Sequence, residues 1–212
     1  MNWIKTNRIT KILFSNYIWE IPNKSKKVYL TFDDGPIPVV TEWVLDTLKN
    51  KKENIKATFF CIGDNIKKHP EIFKRIINEG HSIGNHTFNH LKGWETNTNV
   101  YLENFNLCED EIQKNSGKNT NLFRPPYGKI KLSQSRLLRK KGYKIIMWDI
   151  ITFDFDTKTT PEKCFSNVND NVASGSIIVF HDSIKAEQNL RYALPKAIKQ
   201  LKEKGFEFDV IS

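Results

Sequence analysis

Asp33 and Asp34 stand side by side where an apolar run ends, in the stretch Thr31-Phe32-Asp33-Asp34-Gly35-Pro36. Neighbouring side chains of a strand point to opposite faces, so these carboxylates can share a site only if the strand ends between them, and Gly35-Pro36 ends it. Two carboxylates held together repel, and each then needs a cation, a hydrogen-bond donor or a proton. Asp-Asp-Gly is also an ordinary turn composition, so partners elsewhere in the chain must decide between a turn and a site.

Partners are available. His86 and His90, in Asn85-His86-Thr87-Phe88-Asn89-His90, are four apart, a spacing that sets two imidazoles on one side of a helical turn and suits a metal ion. The same spacing also arises by chance. Adding Asp34 gives two neutral nitrogens and one carboxylate with a coordination position left for water, the usual pattern of a catalytic rather than a structural zinc. One aspartate then binds metal, and the other is free to take a proton. Nitrogen and oxygen donors favour zinc here but also admit cobalt, nickel or manganese.

The elements that must position these groups are legible as an alternation. Short β-rich runs at 27–33, 56–62, 81–85, 121–125, 143–150, 176–182 and 206–211 are separated by helical patterns, which predicts parallel β/α units. Pro70 opens a helix that Gly80 stops, Thr160-Pro161 opens another that runs to Gly175, and Pro195 should kink or break the last one. About seven steps in 212 residues predict an α/β fold, a distorted, incomplete (β/α) barrel of about seven parallel strands, with an open doubly wound sheet as the alternative. In either architecture functional residues gather where strands end. Polar residues do recur there: Asp33 and Asp34, then His86 and His90, Arg124 and Tyr127, Asp154, and His181.

With these residues in place, the chain from Val28 onward resembles the polysaccharide deacetylases, the NodB-homology group of carbohydrate esterases. The resemblance rests on separated motifs in the family's order. It implies a distorted β/α barrel that uses one divalent metal ion to remove N- or O-acetyl groups from sugars. Carried onto this sequence, Thr31-Phe32-Asp33-Asp34-Gly35 makes Asp33 the general base and Asp34 a metal ligand, and His86 and His90 complete the ligand set. Arg124-Pro125-Pro126-Tyr127 supplies an arginine that orients the base and a backbone N–H at Tyr127 that helps hold the oxyanion. Val179-Phe180-His181 ends on the general acid. The fourth motif departs from the family: Asp154 is present to tune His181, but Ile151 and Phe155 stand where an aspartate and a tryptophan are usual. Phenyl for indole removes apolar wall and one N–H donor, which bears on pocket shape and substrate choice.

The expected function is therefore a metal-dependent deacetylase acting on N-acetyl, or O-acetyl, groups of amino sugars in a glycan or glycan precursor. Two alternatives keep the fold: a cyclic amide or imide hydrolase, which the complete metal triad disfavours, and a non-catalytic sugar-binding relative. Trp94, in the loop after the metal histidines, is placed to stack on a sugar ring. Trp148 reads as core, His69 and His81 as structural, and Asp182 stays outside the site.

Composition bounds the rest. The net charge of +9 would suit an anionic partner, but the lysines lie mostly in pairs near helix ends, and no nucleic-acid-binding signature is present. Aromatic content of 12 % predicts a folded chain. Cys61, Cys108 and Cys164 are far apart and read as buried free thiols. The domain division is an N-terminal arm, 1–27, docking on a catalytic domain, 28–212. No apolar run reaches signal-peptide or membrane-spanning length, which predicts a cytoplasmic location, with peripheral membrane attachment or export by an unrecognised route as alternatives. The sequence carries no signature of an oligomeric state.

Overall fold

A computed structural model describes residues 4–49 and 54–212. In chain order the elements are α1 (Arg8–Leu13), β1 (Lys27–Asp33), α2 (Val40–Leu48), β2 (Thr58–Cys61), α3 (Gly63–Lys68), α4 (Pro70–Asn78), β3 (Ser82–Asn85), α5 (Thr98–Ser116), β4 (Leu122–Phe123), α6 (Leu132–Lys140), β5 (Lys144–Ile145), β6 (Ile150–Ile151), α7 (Pro161–Asn169), β7 (Ile177–His181), α8 (Glu187–Glu203) and β8 (Glu207–Phe208). Seven strands form one parallel sheet in the order β5-β4-β3-β2-β1-β7-β6, curled into a half-barrel, and β8 adds to β1 at Lys27 and Val28. This is the incomplete barrel that the alternation predicts.

β1 is central, and its residues 28–33 are buried on both faces, as a parallel strand covered by helices must be. Phe32 stacks on Phe59 at 5.0 Å and on Phe180 at 6.1 Å, tying β1 to β2 and β7 through the core. Burying rings of this size stabilises the fold by roughly 1.5–3 kcal/mol each. The register places Asp33 opposite Phe60 on one side and His181 on the other, so the base candidate and the acid candidate end neighbouring strands.

Three elements differ from expectation. The run 143–150 is two short strands, because Ile146 and Met147 turn their carbonyls to the Arg124 guanidinium at 3.3 and 2.9 Å and leave the ladder between β5 and β6. α7 starts at the Thr160 cap as predicted but ends at Asn169 rather than Gly175. α8 runs through Pro195 unbroken: Pro195 lies on the solvent face, while Ala193, Leu194, Ala197, Ile198 and Leu201 are buried, so core packing holds the helix together and water can reach the carbonyl left without a donor.

The N-terminal segment lies across the seam between β5 and β6. Lys5 bridges Ile150 in the antiparallel sense and Ile18 bridges Ile146 in the parallel sense. Lys11 Nζ lies 2.6 Å from the buried Asp149 carboxylate, which also accepts from Ser176 Oγ at 2.6 Å. All three cysteines are free and buried. No helix of the described residues is long and apolar enough to cross a membrane.

Candidate active site

The C-terminal ends of β1, β3, β4 and β7 surround a cavity of about 410 Å³, lined by Asp33, Asp34, His86, His90, Tyr127, Trp148, Ile151, Phe155, Val179, His181, Ser183 and Lys185.

Asp33 ends β1 with its side chain closed to solvent. Arg124, fully buried after β4, places Nη1 2.6 Å from Asp33 Oδ1 and 2.7 Å from Thr31 Oγ1. Its Nε and Nη2 take the Ile146 and Met147 carbonyls, and its guanidinium lies 4.1 Å from the centroid of the Phe60 ring. A buried guanidinium so thoroughly bonded cannot reorient, which fixes the carboxylate it holds. Burial, the largest influence, favours the neutral acid, but the charge and hydrogen bond of Arg124, with the nearby His86 and His181 imidazoles, together hold Asp33 below the usual carboxylate range.

Asp34 turns the other way because its backbone is left-handed, φ 84°. Its Oδ1 is buried without a hydrogen-bond partner, 3.8 Å from His86 Nε2 and 3.3 Å from His90 Nε2, and ligand atoms of the three residues all lie within 4.8 Å of one another. His86 Nδ1 lies 2.7 Å from the Arg124 carbonyl oxygen. A carbonyl only accepts, so Nδ1 carries the proton and the Nε2 lone pair faces Asp34. Burial, more than any neighbour, lowers the pKa of both histidines, His90 to about 4, which keeps the imidazoles neutral as metal ligation requires. The donor set and its orphaned oxygen fit one divalent ion.

His181 is held through two contacts by one carboxylate. Its backbone N–H donates to Asp154 Oδ2 at 2.7 Å and its Nδ1 meets Asp154 Oδ1 at 2.8 Å. Burial, the largest influence, would discharge the imidazole, yet the charge and hydrogen bond of Asp154, with Asp34 and Asp33 adding, together raise His181 to about 9. The Phe155 ring meets the imidazole edge-on at 4.8 Å, so phenyl supplies the wall that indole usually gives. Tyr127 sits at φ 60° with its ring 4.5 Å from that of His90, while the N–H groups of Gly128 and Lys129 donate to the carbonyls of Pro125 and Pro126.

Left-handed backbone at non-glycine residues costs on the order of 1–3 kcal/mol each, and Asp34, Thr87, His90 and Tyr127 all adopt it here. Side chains that the sequence reading did not single out over-determine these loops. Asn65 Nδ2 donates to the Asp34 carbonyl at 2.7 Å, and Asn85 Oδ1 accepts from Thr87 N at 2.8 Å. Asn104, on α5, accepts from the N–H groups of Phe88 and Asn89 and donates to Asn89 Oδ1, splinting the turn between the two histidines. Asp182, left outside the site by sequence, is fully buried behind it, accepting from Gly35 N at 3.1 Å and bonding Thr41 Oγ1 at 2.6 Å. Burial pushes its carboxyl up to about 8. Asp182 had a signal in its place beside His181; mid-helix Asn104 had none.

Trp148 packs against the core, as read, and also reaches the cavity wall. Trp94 does not line the cavity: it is 60 % exposed on the neighbouring loop, where its indole N–H donates to the Ile130 carbonyl at 3.0 Å. His81 is structural as read, accepting from Ala57 N at 3.2 Å.

On fold and site together the molecule falls in the class of metal-assisted hydrolases built on a parallel α/β frame. Sequence comparison narrows the class. Residues 20–146 match the polysaccharide deacetylase family, and the chain belongs to that family of metal-dependent carbohydrate deacetylases. A peptidoglycan-N-acetylglucosamine deacetylase of Bacillus cereus is 35 % identical over 195 residues, 92 % of this chain and 90 % of the relative. The peptidoglycan-N-acetylmuramic acid deacetylase PdaC of Bacillus subtilis is 32 % identical over 90 % of this chain but 39 % of its own length. Among solved structures, the Bc1960 peptidoglycan N-acetylglucosamine deacetylase superposes with a TM-score of 0.89 at 34 % identity, covering 97 % of this chain and 95 % of that one.

Proposed function

We propose that the protein hydrolyses N-acetyl groups on amino sugars of a peptidoglycan-like glycan, using one divalent ion, zinc, held by Asp34, His86 and His90. The observation that carries this reading is that one cavity holds the three-ligand cluster together with Asp33, paired to Arg124, and His181, paired to Asp154, at the ends of neighbouring strands. Relatives whose names specify N-acetylglucosamine or N-acetylmuramic acid of peptidoglycan support the substrate class.

Bound among these residues, a divalent ion would supply Lewis acidity, polarising the acetyl carbonyl and acidifying water. Asp33, ionised by its arginine, takes the proton of the attacking water. The Tyr127 N–H, on this reading, would donate to the developing oxyanion, a donor that costs no reorganisation as the charge appears. His181 enters protonated under the hold of Asp154 and gives its Nε2 proton to the departing amine. Acetate and a free amino sugar result. The two titrating groups start in opposite charge states because their partners have opposite charge. Trp94, beyond the cavity, would stack on a sugar unit further along the glycan.

The test is acetate release from peptidoglycan fragments, chitin oligomers and nucleotide-linked N-acetyl sugars by zinc-loaded protein beside a chelated control. Release from peptidoglycan fragments that chelation abolishes supports the reading. Release from none of the three, with zinc bound, overturns it.

A further inference from the structure

The charges in the cavity are not alike in how they are balanced. Asp33 has Arg124, and Asp34 faces the two histidines. Lys185 is different. It lines the cavity from the segment between β7 and α8, is exposed, and has no ion-pair partner among the described residues. Its Nζ lies 5.9 Å from the centroid of the Phe155 ring. Phe155 in turn lies against His181 at 4.8 Å. An imidazole, a phenyl ring and an uncompensated ammonium therefore follow one another outward along a single wall.

Across the cavity the pattern is otherwise. Tyr127 carries a cation too, Lys92 at 5.4 Å, but Lys92 lies 3.4 Å from Glu95 and is neutralised by it. Lys129, near Tyr127, lies over the Trp94 ring outside the cavity lining; among the residues of that lining Lys185 is the one lysine or arginine, and Phe155 ties it to the His181 side. On the function proposed above, that is the side of the leaving amine, and so of the sugar ring that bears it. A sugar whose amine meets His181 lays its ring along Phe155 and directs a neighbouring substituent toward Lys185. An ammonium beside a low-dielectric wall favours an anion there more strongly than one free in water.

We infer that Phe155 and Lys185 form a subsite for a carboxylate carried by the sugar being deacetylated or by its immediate neighbour, so that acidic amino-sugar glycans are preferred over neutral ones. The inference rests on the proposed deacetylase reading, and Lys185 acts by selecting substrate rather than by touching the reacting atoms.

Three oligosaccharides of equal length test it on the zinc-loaded enzyme. One is neutral, all N-acetylglucosamine. The second alternates N-acetylglucosamine with N-acetylmuramic acid bearing free lactyl carboxylates, and the third is the second with those carboxylates amidated. We expect kcat/KM for the free acid to exceed that for the amide by about tenfold, mainly through KM, with the advantage shrinking as salt rises. Identifying which residue loses its acetyl group tells a carboxylate on the reacting sugar from one on its neighbour. Lys185→Met, which keeps an apolar stem, should bring kcat/KM for the free acid to that for the amide, and Lys185→Glu should reverse the preference. Lys92→Met should change nothing. A preference that survives Lys185→Met, or equal kcat/KM for acid and amide in the unaltered enzyme, overturns the inference while leaving the deacetylase reading intact. If no oligosaccharide releases acetate, that reading fails, and calorimetric binding of acid against amide to the zinc-loaded Asp33→Asn protein still decides the subsite: tighter acid binding that Lys185→Met abolishes supports it, and equal binding overturns it.

Discussion

Arg124 Nη1 lies 2.6 Å from Asp33 Oδ1, both side chains closed to solvent, while the backbone carbonyl of the same arginine receives His86 Nδ1 at 2.7 Å. One residue thus fixes the carboxylate that would take a proton and the imidazole that would take a metal. The two functions are mechanically joined at β4, and their failures should be joined as well.

Removing the guanidinium exposes that joint. Arg124→Met leaves a buried carboxylate without its counter-charge, a change that costs about 3–5 kcal/mol. Urea titration should show this loss, and acetate release should fall below detection. Asp33→Asn keeps a group of the same shape against the arginine. It should fold, bind zinc, and lose about 10²–10⁴ in kcat, the range of a missing general base.

Asp154→Asn tests the acid. The imidazole keeps a hydrogen-bond partner but loses the charge that offsets its burial, so the pKa of His181 falls. Because His181 must be protonated to serve the leaving amine, the alkaline limb of the pH–kcat profile should move to lower pH. A profile that drops in height without moving would deny Asp154 that role.

The metal cluster makes a prediction that needs no turnover. Zinc should raise the melting temperature of the unaltered protein, since an ion that binds only the folded state stabilises it by mass action. His90→Ala or Asp34→Ala should abolish the rise. Asn104→Ala should reduce it, because the turn between the histidines loses its splint.

His81 gives a stability signal away from the site. Burial lowers its pKa from the ordinary 6.5 to about 4, so between these values the unfolded chain binds a proton that the folded chain does not. Stability therefore rises with pH through that window, and its contribution is lost as pH falls from 6.5 toward 4. The full effect is about 3 kcal/mol. The difference in unfolding free energy between the unaltered protein and His81→Gln, measured with chelator at pH 4.5 and pH 7, should carry that slope.

How much of this was written locally in the chain follows from what each residue depends on. β1 could be read to its ends because apolar residues run from Val28 to a Gly-Pro turn, and the site residues showed themselves by standing at strand ends. The split of 143–150 was hidden because its cause, the fork of Arg124, lies some twenty residues away in sequence. Pro195 misled for the opposite reason: a strong local rule gave way to a buried helix face that only the fold supplies. Trp148 sits in an apolar run and Trp94 in a polar loop, and neither local context shows that the cavity opens at the end of the former. Asp182 could be seen but not weighed, since its partners Gly35 and Thr41 meet it only through the pairing of β1 with β7.

The N-terminal segment has a consequence for handling the protein. A half-barrel has two outer strands, and each offers a row of unmatched peptide groups on which another molecule can build. Here Ile151 N donates to the Ile4 carbonyl and Thr6 N to that of Asp149 along one of them, while Ile18 N donates to the Ile145 carbonyl and Met147 N to that of Ile18 along the other. One stretch of chain thus caps both. A version trimmed to begin at Val28 would retain every candidate catalytic side chain and still be expected to self-associate and precipitate, its insolubility arising at the uncovered borders of the sheet rather than in its interior.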